Sequence, residues 1–432
     1  MLLRFSASNF TSIRDFQEIS MIASSLSGDP SATIETPALS QRVLRTAAIY
    51  GPNASGKTNL LWALRFMRGA VRDSHSQWDP TKEIKRHPFA LDESQTRPTE
   101  LSIDLIIDGV RYEYGFSVDN VKVLSEFLYA YPEKRRQIWF ERSAESERIN
   151  FGKNFTGENR TIENLTRPNS LFLSAAAQNN HDKLMPIFKW FANDLVFRAN
   201  SGSSGAYERT IEMCSKDEST KERVVQLLAG ADVGVVGINI TEEQPDEKFS
   251  SFAVKFSNLL SEFADEPIEI PAFDQKIRSV TLQHRAGVAL PVSIPLSEES
   301  AGTLSFLAMI GPAMEVLSSG GVLCIDEISA NLHPLLAEEI VKIFNRGETN
   351  PLGAQLLFTT HSTELLGAGV LRRDEIWFTE KDDQGVTRLY PMTDFKPRRY
   401  ENLQRGYLQG RYGATPFIRS SVLTGIGDEA QE

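Results

Sequence analysis

Two hydrophobic patterns alternate along the chain. Short, largely apolar runs stand at Arg45–Tyr50, Val322–Ile325 and Gln355–Phe358, the mark of strands buried on both faces. The first leads through a glycine-rich loop into Asn59–Met67, where apolar residues recur at helical spacing. A second apolar helix is predicted at Leu304–Leu317, and Gly320-Gly321 ends that run before the next strand. Residues 98–152 read differently. Leu101–Ile107 alternates apolar and polar positions, Asp108-Gly109 marks a tight turn, and Val110–Val118 answers it; strands at Glu126–Tyr131 and Gln137–Glu141 continue the pattern. From about 155 to 235 the periodicity is mainly helical, with a loop at Asn200–Ala206 and a strand-like run meeting a loop at Leu171–Asn180. Val235–Thr241 and Ser279–His284 read as strands on either side of a helical stretch, Phe252–Glu262. No heptad pattern is sustained, no repeat recurs, and the last dozen residues should fray. The expectation is an α/β fold: a buried sheet, an antiparallel β-layer and a compact, mainly helical insertion.

Composition adds limits. At 432 residues, with 41% hydrophobic and 24% charged residues, the chain can build a full core, in two lobes. No apolar stretch is expected to approach the length of a membrane span. Arg4, Arg14 and Asp15 interrupt any signal-peptide pattern. Cys214 and Cys324 stand far apart and form no disulfide framework or zinc spacing, so a cytoplasmic location is expected. A net charge of −11 argues against a free-standing nucleic-acid wrapper. One local patch departs from it: Lys396, Arg398, Arg399, Arg405, Arg411 and Arg419 alternate with Tyr400, Tyr407 and Tyr412. Such a segment binds nucleic acid, forms a protein interface, or packs as a tail, and the sequence leaves the three open.

Four motifs carry chemistry. Gly51-Pro-Asn-Ala-Ser-Gly-Lys-Thr58 fits the G-x-x-x-x-G-K-[ST] phosphate loop in its strand–loop–helix context. Gly51 and Gly56 permit tight turns, so that the backbone of Gly51, Pro52, Asn53, Ala54, Ser55 and Gly56, running into Lys57, Thr58 and Asn59, surrounds phosphate oxygens. Lys57 would reach the outer phosphates and Thr58 would hold Mg²⁺. Asp326 and Glu327 end a buried strand, where open α/β sheets bind ligands. Asp326 suits the Mg²⁺ shell and Glu327 a general base for water, although an acidic pair there also serves as a helix cap. His361, in Thr359–Ser362, ends the next strand, where it would sense a γ-phosphate unless it is structural. Ser297–Thr303 precedes the apolar helix; Ser300 and Gly302 form either an anion site or a simple cap at its start.

In this order the motifs resemble those of ABC-type ATPases of the SMC/OLD branch. Met1–Phe10, with its Asn-Phe element, looks like that branch's first strand, and Asp326–Pro334 (DEISANLHP) like its Walker B and D-loop. Arg372–Gly385 and Tyr407–Ile418 look like the ATPase subunit of RloA/AbiL-type phage-defence systems. The resemblance implies an ABC-type P-loop ATPase head divided at 1–152 (Walker A and β-layer), 153–290 (insertion), 291–395 (signature, Walker B, D-loop, switch histidine) and 396–432 (basic, aromatic tail). It implies ATP and Mg²⁺, and a homodimer or higher oligomer closed through composite ATP sites, with Ser300 and Gly302 facing the opposite subunit's nucleotide. It also implies a separately encoded Toprim-type or other nuclease effector, a phage-encoded trigger, and a role in abortive infection without a membrane. Ser329 and Asn331 depart from the usual D-loop residues, and the glutamine expected to watch Mg²⁺ is not close to the loop. Gln178 is the candidate, set against a plain surface glutamine.

The chain lacks a second recognisable chemistry. Glu380-Lys-Asp-Asp383 is followed by Gln-Gly and reads as a hairpin turn rather than a Toprim centre; no nuclease-type Arg/His pair or Ser/His/Asp set stands out. Two other classes remain: an SMC-like DNA repair or maintenance ATPase, and a nucleotide-gated module that holds an inhibitor with negligible turnover.

Overall fold

The structure is a computed structural model, and it describes residues 1–26, 28–146, 148–198, 206–231, 234–243, 277–287, 290–398 and 401–415. The chain forms two compact units, Met1–Arg198 with Pro312–Glu432, and Ala199–Gly311.

The first unit holds the buried sheet. Its strand order is Leu195–Phe197, Val322–Ile325, Gln355–Thr360, Thr46–Tyr50, Ile376–Lys381, Thr387–Pro391. All neighbours run parallel except the last pair. Every residue of the three strands expected from the apolar runs is buried, as a sheet covered on both faces requires. Parallel register makes their C-terminal ends coincide: Ile325 lies opposite Phe358, and Thr360 opposite Tyr50. Helix Lys57–Asp73 follows the central strand and buries Leu60, Leu61, Leu64, Met67 and Val71.

The β-layer is a seven-stranded antiparallel sheet ordered Asn150–Phe151, Gln137–Ser143, Val123–Tyr131, Val110–Val118, Thr99–Ile107, Leu2–Ser8, Gln17–Ser20. The expected turn is there, with Asp108 at φ 48° and Gly109 at φ 77°, the left-handed pair that suits a two-residue hairpin. Gln355 stitches the β-layer to the parallel sheet. Its Oε1 accepts from Leu2 N at 2.6 Å, and its Nε2 donates to Leu2 O at 2.9 Å and Leu44 O at 3.0 Å.

Leu171–Asn180 corrects an expectation. The strand-like run is the helix Phe172–Gln178, buried from Phe172 to Ala177. Three alanines favour helix, and the buried Glu126 carboxylate accepts the first amides, Phe172 N at 2.6 Å and Leu173 N at 3.0 Å. The acidic run at Glu380–Asp383 does form a hairpin, in which Asp382 Oδ1 accepts from Gln384 N and Val386 N. The C-terminal aromatic residues pack inward. Tyr407 and Tyr412 are buried and stack on Phe378 at 5.7 and 5.8 Å. Arg399, Tyr400, Arg419 and the last dozen residues lie outside the described residues.

The second unit contains helices Glu208–Lys216 and Glu218–Gly230 and an antiparallel sheet of Val235–Glu243, Ile277–His284 and Val292–Pro295. Both expected strands are present; the Phe252–Glu262 stretch and most of the Asn200–Ala206 loop lie outside the described residues. Helix Ala301–Ser319 corrects the reading of apolar length. With 19 residues and a mean hydropathy of 1.3, it is by length and composition long enough to cross a membrane, although 56% of that stretch is buried within the protein.

Gln355→Leu keeps the volume but orphans three backbone groups. It should lower unfolding free energy by about 3 kcal/mol, read by chemical denaturation; an unchanged midpoint would show that the stitch is dispensable.

Candidate functional site

The parallel register brings three chain segments to one sheet edge: the loop after Tyr50, the acidic pair after Ile325, and Thr360-His361 after the strand between them. In the loop, Ala54 at φ 61° and Gly56 at φ 103° turn the chain back on itself. A Cβ on Gly51 would stand 2.4 Å from Thr379 Oγ1, and one on Gly56 2.1 Å from Thr387 Oγ1. Neither position admits a side chain, because hydroxyls brace the loop from below. Ser55 Oγ meets Thr379 Oγ1 at 2.7 Å, and Thr387 Oγ1 donates to Ser55 O at 2.9 Å. Ser12 Oγ joins Thr387 Oγ1 at 2.7 Å and accepts from Asn59 Nδ2 at 2.6 Å. Pro52 is half-buried, and Asn53 and Ala54 are exposed at the loop's tip.

Lys57 folds its ammonium into this loop, donating to Gly51 O at 2.8 Å and Pro52 O at 2.9 Å. Burial pushes it down to about 8, against the carboxylates of Glu327 and Asp326. The Thr58 hydroxyl donates to Asp326 Oδ1 at 3.1 Å. Thr359, wholly buried, ties the acidic pair together: its hydroxyl donates to Asp326 Oδ1 at 2.6 Å and accepts from Glu327 N at 2.8 Å. Glu327 itself sits at φ 54°, a left-handed conformation that strains a non-glycine residue. His361 spans the gap, with Nδ1 3.4 Å from Lys57 Nζ and Nε2 3.4 Å from Glu327 Oε1. Burial and Lys57 hold the imidazole below its usual value despite Glu327. The tautomer that suits both neighbours is neutral, with its proton on Nε2, because the ammonium can only donate and the carboxylate only accept.

The structure thus brings Lys57, Thr58, Asp326, Glu327 and His361 together. Gln178 stands exposed on the last turn of Phe172–Gln178 and takes no part in these hydrogen bonds. Ser300 belongs to the second unit, where its hydroxyl caps the helix by accepting from Thr303 N at 3.0 Å; Gly302 follows in the first turn. The residues missed by sequence reasoning are Thr359 and the bracing hydroxyls Ser12, Thr379 and Thr387. The available signal was a hydroxyl at the end of an otherwise apolar buried strand.

Thr58 and Asp326 converge at the helix end of the loop, a hard-oxygen pair of the kind Mg²⁺ takes together with phosphate oxygens and water. No cluster of three or more His, Cys, Asp or Glu that could hold a metal occurs among the described residues. The pair fits a cation that arrives with phosphates, not one held in an all-protein cage.

Residues 47–367 match the family described as "AAA domain, putative AbiEii toxin, Type IV TA system". No curated protein matches the chain. Among solved structures, the chain is similar to "the SmcHead bound to the C-winged helix domain of ScpA", with 14% identity, 90% of this chain and 96% of that chain covered, and a TM-score of 0.41. It is also similar to cbiO1 from Clostridium perfringens, part of the ABC transporter complex cbiONQ, with 11% identity, 89% and 95% covered, and a TM-score of 0.28.

Two outcomes are expected. Thr359→Val removes both hydrogen bonds at nearly constant volume and should cost about 2 kcal/mol of stability, with Thr359→Ser restoring most of it in denaturant melts. Lys57 has a folded value of about 8 against about 10.4 unfolded, so between these values the unfolded state binds more protons and stability from this group rises with pH. Its cost is therefore fully present below pH 8, and nucleotide-free Lys57→Met should melt above wild type at pH 7, the gap closing towards pH 10. A wild type that melts higher at pH 7 would mean that the two carbonyl contacts outweigh burial.

Proposed function

This chain belongs to that AAA-domain family, and we propose that it binds and hydrolyses ATP, closing as a dimer around nucleotide to control a separately encoded effector in anti-phage defence. The observation that carries the ATPase reading is the continuous set of contacts from Lys57 through His361 to Glu327 and Thr359, and on to Asp326 and Thr58. It joins a loop of phosphate-binding pattern to two carboxylates placed for the metal and base roles of this reading.

In this reading Lys57 turns from its two loop carbonyls to the outer phosphates. That exchange relieves a buried cation whose present partners carry no full charge. The loop amides and the start of helix Lys57–Asp73 add partial positive charge. Thr58 and Asp326 would hold Mg²⁺, which when bound neutralises phosphate charge. Glu327, whose carboxylate stands 3.4 Å from His361 Nε2, takes the proton of the attacking water. His361, neutral and already between Lys57 and Glu327, would turn Nε2–H to the γ-phosphate and lose that contact when phosphate leaves. Ser300 and Gly302 would close the site of an opposite subunit, and Gln178 would follow the metal only if its helix end moves to the loop.

The family's description names a toxin of a toxin–antitoxin system, which supports a partner-controlled role over housekeeping. The likeness of the late segments to the RloA/AbiL-type ATPase subunit supports a nuclease as that partner.

Lys57→Ala should abolish ATP binding. Glu327→Gln should retain ATP, lose at least about a hundredfold in turnover, and elute as a dimer with ATP in light scattering. Unchanged turnover in Glu327→Gln would remove it from the base role. Tagged chain purified from its host should carry a stoichiometric nuclease-like protein; recovery of DNA and repair proteins, with DNA-stimulated turnover, would favour the genome-maintenance reading.

A further inference from the structure

A cavity of about 740 Å³ opens in the first unit, at the opposite end of the parallel strands from the phosphate loop. It is lined by the end of helix Pro334–Asn345 and by residues 366–373, which lead into the start of strand Ile376–Lys381. Since that strand is parallel to Thr46–Tyr50, its start and the loop after Tyr50 lie at different sheet edges.

The lining is cationic in a chain whose net charge is −11. Lys342, Arg346, Arg372, Arg373 and Arg398 contribute, against Asp29 and Glu401. Several of these charges are already engaged. Arg372 holds Asp374 through Nε and Nη2, both at 2.9 Å, and Lys342 holds Glu338 at 2.7 Å and Glu339 at 2.8 Å. Arg373 donates to Pro397 O at 2.6 Å. Glu401 accepts from Tyr412 at 2.6 Å and pairs with Arg411, while Asp29 caps Ser31 N at 2.9 Å. Arg346 and Arg398 are different. Both are exposed, they come from separate segments, and among the described residues neither guanidinium makes an ion pair within 4.0 Å, although Arg346 lies in the field of Asp29 and the Arg398 amide donates to Glu401 Oε2 at 3.0 Å.

Guanidinium groups recognise oxyanions with paired hydrogen bonds. Two of them, facing one cavity, call for a ligand with more than one anionic group. The volume is that of a small-molecule site. Among the described residues no aromatic side chain lines it. We propose that this cleft is a second anion site, which binds an oligophosphate group between Arg346 and Arg398. The ligand is the charged part of a small molecule: a free oligophosphate or the phosphate tail of a nucleotide.

The test is calorimetric titration of inorganic tripolyphosphate into the full chain. Wild type should take up two, one at each end of the sheet. Lys57→Ala should keep the second site, and the Arg346→Ala/Arg398→Ala double variant should lose it, with affinity there at least about tenfold lower. Both arginines are exposed, so the double variant should melt like wild type. If Lys57→Ala does not fold, the comparison of wild type with the double variant still decides. One site in wild type that the double variant leaves unchanged would overturn the proposal. So would capture of a single-stranded oligonucleotide through Arg346 and Arg398 with no competition from tripolyphosphate. Titration of ADP in the presence and absence of tripolyphosphate separates the two sources.

Discussion

One buried hydroxyl holds the candidate site together. Thr359 sits on the central strand of a parallel sheet, where its neighbours end at the same level. From there its Oγ1 reaches sideways to Asp326 and receives the amide of Glu327. A single threonine therefore fixes the position of one carboxylate and the backbone turn of the next. Asp326 in turn receives Thr58, which sets the first turn of the helix against the acidic strand. The sheet supplies alignment to within a residue; the hydroxyl supplies the last ångström. An apolar residue at the same place would remove both hydrogen bonds, leaving Asp326 with the Thr58 hydroxyl and Glu327 N without this partner.

The same device recurs below the phosphate loop. Ser12, from the start of the chain, and Thr379 and Thr387, from one late hairpin, meet under Gly51, Ser55 and Gly56. The glycines are thus required twice, by the turn that Gly56 makes and by the hydroxyls that fill the space where a side chain would stand. Loop shape does not depend on bound phosphate alone. It is held by the hairpin of strands Ile376–Lys381 and Thr387–Pro391, so the late part of the chain, beyond the four chemical motifs, is structurally part of the site.

Much of this was legible in the sequence because it rests on local rules. Wholly apolar runs give buried parallel strands, and alternation with Asp108-Gly109 gives the hairpin. The phosphate loop follows from its own spacing. What could not be read depends on tertiary contact. Leu171–Asn180 looked like a strand because its apolar residues are continuous; it is a helix because Glu126, from the β-layer, caps it and the alanines allow it. For Tyr407 and Tyr412 the sequence left a nucleic-acid surface, a protein interface and a packed tail open, because basic residues flank them. They are core, since Phe378 offers a ring for them to stack on. The partners of Thr359 were hidden for a related reason: a hydroxyl ending an apolar strand signals a polar contact, but nothing local says which neighbour it will meet.

The electrostatic state of the site follows from this geometry. Lys57 is drawn into a loop whose carbonyls satisfy its hydrogen bonds but not its charge, and burial lowers it to about 8. His361 beside it is held neutral, and Glu327 is kept in a left-handed turn. Two of these conditions, the buried ammonium and the neutral histidine, carry a cost that lessens when negative charge enters between Lys57 and His361. The ammonium gains a charged partner, and the histidine gains an acceptor. A group of anionic oxygens is the one ligand that serves both at once without disturbing the Thr359 hub. A preference for anionic oxygens at this site would thus rest on how the fold places Lys57 and His361 beforehand.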